Sequence, residues 1–130
     1  MDWRKFCALI QPRILVIDDE PKITDEMRKE LEDMGCNTDT YNDPDLVLTS
    51  LKSGRYDLII MDVGLPQMDG YDLYQKIRDL DGNAKICLMS DSIAHDHEFL
   101  TLFPIWKARD YFHKPIMISD MVEIVTETMR

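Results

Sequence analysis

Four short stretches of this chain carry side chains whose types and order could do chemistry together. They are Asp18-Asp19-Glu20, Asp62, Ser90 and His113-Lys114-Pro115. Taken singly, each has an ordinary explanation. An acid after a strand often caps a helix, a lone lysine is usually solvated, and a lone serine can be a turn residue. Brought together, they would form a pocket of carboxylates with one hydroxyl and one ammonium. Two carboxylates about 4 Å apart repel by roughly 4 kcal/mol at an effective dielectric near 20, so a fold holds several together only with compensation. A hard divalent cation supplies it. Magnesium takes one or two carboxylates and completes its octahedron with waters and phosphate oxygens. Lys114 would add a fixed positive charge. Such a pocket is prepared for a phosphoryl group, which a carboxylate can accept as an acyl phosphate.

The elements that must position these groups follow from periodicity. Arg13 to Ile17, Asp57 to Met61 and Lys85 to Met89 are short apolar runs, as expected of strands buried on both faces in a parallel sheet. Asn37 to Tyr41 is a more polar strand, expected at a sheet edge, and Asp110 to His113 is a short fifth strand. Between them lie helical patterns. Pro21 to Met34 carries Ile23, Met27, Leu31 and Met34 on one stripe and stops at Gly35. Asp43 caps a helix with Pro44 at its first position and Val47, Leu48 and Leu51 on its inner face, ending at Ser53-Gly54. Gly70 to Leu80 offers Tyr71, Leu73, Tyr74, Ile77 and Leu80 for packing. Ile93 to Phe103 reads as a helix stopped by Pro104. Ile118 to Met129 is the last helix, with Ser119 as candidate cap and Ile118, Val122, Val125 and Met129 as its core stripe. Met117, Met121, Ile124 and Thr128 form a second flank, read either as a homodimer or partner surface or as a widening of the buried stripe. Strand and helix alternate five times, which implies an α/β fold with a parallel sheet and helices on both faces. In such sheets the ligand site lies beyond the carboxyl ends of the strands. All four chemical stretches sit there.

Composition excludes several classes. The chain has 130 residues, enough for one domain with its own core, and a net charge of −10. That balance argues against direct nucleic-acid binding, which needs clustered cations, and against an anionic membrane surface. Cys7, Cys36 and Cys87 are odd in number and form no C-x-x-C pair, so neither a disulfide framework nor a zinc site is expected. Cys36 and Cys87 read as inert core thiols, and a reducing cytoplasm as the compartment. Residues 1–12 read as an N-terminal extension to a domain over residues 13–130. The apolar run Phe6 to Ile10 is too short for a signal peptide, and Trp3, Phe6 and Ile10 could share a helical face that docks on the domain.

The segments Ile14-Leu-Val-Ile-Asp-Asp-Glu20, Asp57-Leu-Ile-Ile-Met-Asp-Val-Gly-Leu-Pro-Gln-Met-Asp-Gly70, Ser90 and Asp110-Tyr-Phe-His-Lys-Pro115 resemble the receiver domain of two-component response regulators. The resemblance covers about residues 13 to 130. It implies a flavodoxin-like (βα)5 fold with strand order 2-1-3-4-5, and assigns roles residue by residue. Asp62 would be the phosphoacceptor. Asp19, Asp62 and the backbone carbonyl of Gly64 would ligate Mg2+ directly, with Asp18 acting through a metal-bound water. Lys114 would pair with the phosphoryl oxygens, and Ser90 would swing in to hydrogen-bond them. Tyr111 would be the aromatic switch residue that follows Ser90 inward. The Lys114–Pro115 peptide is commonly cis in this family, at a cost of only about 0.5–1 kcal/mol. The implied function is a phosphorylation-dependent signalling switch, fed by a sensor histidine kinase or a phosphotransfer protein and acting on an unknown downstream protein. It would assist its own phosphorylation and dephosphorylation without being an enzyme for an external substrate. The chain would be a stand-alone receiver or one excised from a larger regulator.

Two stretches depart from the family pattern. Asp91 follows Ser90 where a small residue is usual, and could slow phosphorylation by small anionic donors or alter water access to the acyl phosphate. Phe103 and Trp106 are bulky where small residues are usual, and with Ile105 they are read either as an apolar partner site or as packing under a shortened helix. His95 and His97, two apart on one helix, do not share a face and are not a metal pair. Two other readings compete. A degenerate receiver would bind partners without phosphorylation, which the intact set Asp18, Asp19, Asp62, Ser90 and Lys114 opposes. An aspartyl phosphatase of the haloacid dehalogenase type would need a second acid two residues after its nucleophile, where this chain has Gly64.

Overall fold

The computed structural model describes residues 3–64, 70–90 and 111–129. The element order is α1 (Trp3–Ile10), β1 (Arg13–Ile17), α2 (Pro21–Asp33), β2 (Asn37–Tyr41), α3 (Pro44–Ser50), β3 (Leu58–Asp62), α4 (Gly70–Leu80), β4 (Lys85–Ser90), β5 (Tyr111–His113) and α5 (Ile118–Thr128). The five strands form one sheet in the order β2-β1-β3-β4-β5, and every pair is parallel. This is the expected fold. The helix expected at residues 93–103 lies outside the described residues, as do Asp91, His95, His97, Phe103, Ile105 and Trp106.

Strand alternation divides the core in two. Leu15, Ile17, Ile59, Met61, Ile86 and Leu88 point to one face, where they meet Val47, Leu51, Leu73 and Ile77 from α3 and α4 and the turn after α3. Ile14, Val16, Leu58, Ile60, Cys87 and Met89 point to the other, against Cys7, Met27, Leu31, Met121 and Val125 from α1, α2 and α5. Burial on both faces is why these strands are uninterrupted apolar runs. β2 closes one edge and is half-exposed, which fits its polar sequence. At the amino edge, Arg13 places its guanidinium on Asp57 as a two-point fork at 3.1 and 3.3 Å, fixing the start of β1 against β3. Partial burial would raise the Asp57 carboxyl, but the Arg13 hydrogen bonds and charge hold it below its ordinary value.

Residues 3–10 are helical, and α1 packs into the domain through a face shifted from the expected one. Cys7 is fully buried and Phe6 half-buried, whereas Ile10 is exposed. Gly35, at φ +96°, turns the chain beneath it, and a Cβ there would lie 3.1 Å from the Ala8 nitrogen. The Cys7 and Cys36 thiols share a hydrogen bond, and burial pushes the Cys36 thiol up to about 12. Two helix ends and one buried face also differ from expectation. α3 ends at Ser50, because Leu51 leaves the helix in an extended conformation to enter the core. Ser119 does not cap α5, whose N-cap is Met117 with no side-chain cap bond. The buried face of α5 is Met121, Ile124 and Val125, while Met117 and Ile118 are exposed. The sequence offers two adjacent apolar stripes there, and only the packing partner selects the seam between them. No helix among the described residues is long and apolar enough to cross a membrane.

Candidate functional site

The register places the acids. Ile17 lies beside Met61 and Met61 beside Leu88, so the next step along each strand sets Asp18 beside Asp62 at the carboxyl edge. Asp18 is held there by its backbone N–H, which donates to the Tyr41 carbonyl at 3.2 Å. Its carboxylate accepts the Glu20 N–H at 3.0 Å, which folds the acidic stretch into a tight turn before Pro21 opens α2. Asp62 is the last residue of β3, and its Oδ1 accepts the Gly64 N–H at 3.0 Å. Gly70 packs on the same segment so closely that a Cβ would lie 2.7 Å from the Val63 carbonyl oxygen.

Lys114 joins the two carboxylates. Its Nζ lies 2.5 Å from Asp18 Oδ2 and 3.1 Å from Asp62 Oδ2, with the three side chains no more than 8% exposed. The lysine is delivered by β5, whose backbone continues past His113 so that the Lys114 N–H donates to the Ser90 carbonyl at 2.7 Å. The Lys114–Pro115 peptide is cis. Burial would lower the Lys114 ammonium, but the hydrogen bond it donates to Asp18 and the charge of Asp62 outweigh it and raise its pKa. Burial raises the Asp18 carboxyl, and the bonds from Lys114 and Glu20 only partly oppose it. One ammonium is thus shared by two buried acids.

Asp18, Asp19 and Glu20 can each turn one carboxylate oxygen to within 4.8 Å of the others. These are hard oxygen donors, the kind that suits magnesium rather than a thiolate- or imidazole-loving metal. The donor set therefore fits the cation the resemblance implies, though the cluster takes in Glu20, to which the resemblance gives no ligand role, and not Asp62. Ser90 is fully buried at the end of β4. Tyr111 pairs with Leu88 across β4 and β5, so Ser90 and Tyr111 lie two positions apart on the same face of the sheet. Every residue singled out from the sequence as part of the site lies at this carboxyl edge or on the strand beside it. Next to it, α2 and the segment after β5 enclose a groove of about 360 Å³ whose lining includes Ile23, Met27, Met89, Glu26, Glu30 and Lys114.

Comparison with known proteins agrees with this geometry. The sequence profile of the response regulator receiver domain matches residues 14–126. Transcriptional regulatory protein PrrA of Mycobacterium tuberculosis is 28% identical over 123 residues, spanning 95% of this chain and 52% of PrrA. Transcriptional activator protein IrlR of Burkholderia pseudomallei is 32% identical over 119 residues, spanning 91% of this chain and 50% of IrlR. The chain thus spans about half the length of these relatives. Among solved structures, a CheY-like receiver domain protein from Methanospirillum hungatei superposes with a TM-score of 0.77 at 24% identity, covering 91% of this chain and 93% of that one. Response regulator TrrA of Thermotoga maritima, solved in complex with Mg(2+)-BeF, gives 0.73 at 28% identity, covering 90% and 98%.

Proposed function

Because this chain belongs to the response regulator receiver domain family, whose members are signalling domains, we propose that it is a switch that accepts a phosphoryl group on Asp62. The observation that carries the reading is the buried ammonium of Lys114, bridging Asp18 and Asp62 at 2.5 and 3.1 Å on the carboxyl edge. A carboxylate oxygen of Asp62 attacks phosphorus as the bond from the donor breaks, leaving an acyl phosphate. Lys114 then turns from neutralising two carboxylates to holding phosphoryl oxygens, by charge-assisted hydrogen bonds. Asp18, Asp19, Asp62 and the Gly64 carbonyl, with Glu20 close by, would hold a magnesium ion, which would offset the charge on the group in transfer. The Mg(2+)-BeF complex of TrrA supports this choice of ion.

Ser90 and Tyr111 convert the event into a conformational signal. The new dianion brings acceptor oxygens that the Ser90 hydroxyl can reach by moving inward, and Tyr111 on the same face fills the space vacated. Carrying a two-state element from 1:99 to 99:1 takes about 5.5 kcal/mol of differential interaction. A few charge-assisted hydrogen bonds of about 1.5–3 kcal/mol each suffice. The phosphodonor is read as a histidine kinase or phosphotransfer protein. The groove that Lys114 helps to line supports a macromolecular donor, since it offers such a partner apolar surface next to the pocket. The test is incubation with magnesium and acetyl phosphate followed by intact mass. A labile phosphoryl adduct on the wild-type chain that is missing from Asp62→Asn supports the switch. No adduct on either chain overturns it.

A further inference from the structure

The acidic turn is braced from a strand that carries none of its acids. Asn42, directly after β2, donates one side-chain N–H to the Asp18 carbonyl at 2.8 Å and the other to Thr24 Oγ1 at 3.0 Å. Thr24, buried in the first turns of α2, passes the chain on, its hydroxyl donating to the Pro21 carbonyl at 3.1 Å. The two amide protons and the one hydroxyl proton are all used. Together they pin residue 18 and residue 21, the two ends of the stretch that presents Asp18, Asp19 and Glu20. The network also fixes the orientation of the amide, because only its nitrogen can donate to a carbonyl.

We propose that Asn42, acting through Thr24, is a positioning residue for the cation site: it holds the acidic turn in its cation-ready shape against the mutual repulsion of its carboxylates. This rests on the reading of the acidic pocket as a magnesium site. Neither residue touches the ion or the phosphoryl group. Their effect is to preorganise the turn, so that binding does not have to order it. Partners of this kind, hydrogen-bonded behind a metal's ligands, typically change metal affinity 10–100-fold when removed.

Titration calorimetry with magnesium alone tests this, on the whole chain stripped of metal with a chelator. Asn42→Ala and Thr24→Val are each expected to weaken magnesium binding by about tenfold. Thr24→Ser, which keeps the hydroxyl, should bind within about twofold of wild type. The double variant should lose no more than the larger single loss, because the two residues form one chain of bonds. Urea melts in chelator, run beside the titrations, correct each affinity to the folded fraction. If the wild type binds magnesium and both single variants bind it equally well, the positioning role is overturned. Equal weakening in Thr24→Ser and Thr24→Val overturns it too, since the hydroxyl would then be irrelevant. If the wild type itself binds no magnesium, it is the underlying reading of the pocket that falls.

Discussion

Lys114 is the residue on which the pocket's electrostatics turn. Its charge is shared between Asp18 and Asp62, and its raised pKa means that this contribution is full below the ordinary lysine value of 10.5 and is lost only as pH climbs through the raised value. Replacing it with methionine keeps much of the stem and removes the cation. Two buried carboxylates are then left facing each other, and breaking a buried pair in this way costs about 3–5 kcal/mol. The sign of the pH dependence follows from Asp18. Burial already raises its carboxyl, and losing Lys114 raises it further, so lowering the pH protonates it and relieves the strain. Urea unfolding in chelator should therefore show the deficit of Lys114→Met shrinking from pH 7 toward pH 4. A deficit that stays constant over that range would mean the lysine acts through packing alone. At this scale Asp18, Asp19, Asp62, Ser90 and Lys114 were legible because strand order delivers carboxyl ends to one edge whatever the loops do, whereas Tyr111, which begins β5, was picked out only by the family resemblance. Asn42 and Thr24 were not legible. An asparagine after a strand reads as a turn, a threonine in a helix reads as neutral, and their bond joins residues 18 apart in sequence.

Two elements show how closely the site is tied to its scaffold. α4 begins at Gly70, where a Cβ would lie 2.7 Å from both the Val63 Cα and its carbonyl oxygen, whereas at Gly82 the nearest atom is 3.9 Å away. Gly70→Ala must therefore push the segment after Asp62, and overpacking of this kind costs about 1–3 kcal/mol. It should lower the urea midpoint and slow phosphorylation by acetyl phosphate, while Gly82→Ala changes both little. Equal effects from the two would show that Gly70 is not set by close approach. α1 makes a second case. It covers Cys36, whose thiol burial pushes up to about 12, so the native chain should react negligibly with a thiol reagent at pH 8. Removing residues 1–10 should expose Cys36 and return it toward the free value near 8.5, raising its thiolate fraction by about three orders of magnitude. Labelling rates that do not change would mean that α1 does not shield it. The sequence allowed a docked helix here and named Phe6 among its contacts, but not Cys7, because five consecutive apolar residues leave the inward face undecided. The same ambiguity hid the buried seam of α5. The interior strands, by contrast, were readable nearly to the residue, since a run buried on both faces leaves no choice of face.

At the scale of the whole molecule, a net charge of −10 opposes compaction, and Asp18, Asp19 and Glu20 gather part of that charge in one place. Any cation that binds the folded pocket and not the unfolded chain must stabilise the fold by RT ln(1 + [L]/Kd), about 2.7 kcal/mol at a hundredfold excess over Kd. Magnesium should therefore raise the urea midpoint along that curve. Sodium chloride at matched ionic strength supplies the comparison, because it screens the general repulsion without entering the site. The magnesium increment beyond the salt increment belongs to the pocket. Asp19→Asn, which removes a half-buried carboxylate without removing bulk, should erase most of the difference while keeping the response to salt. If magnesium and sodium chloride stabilise the wild type equally, or if Asp19→Asn keeps the full magnesium increment, the acids act only as part of the overall charge and the pocket has no cation of its own.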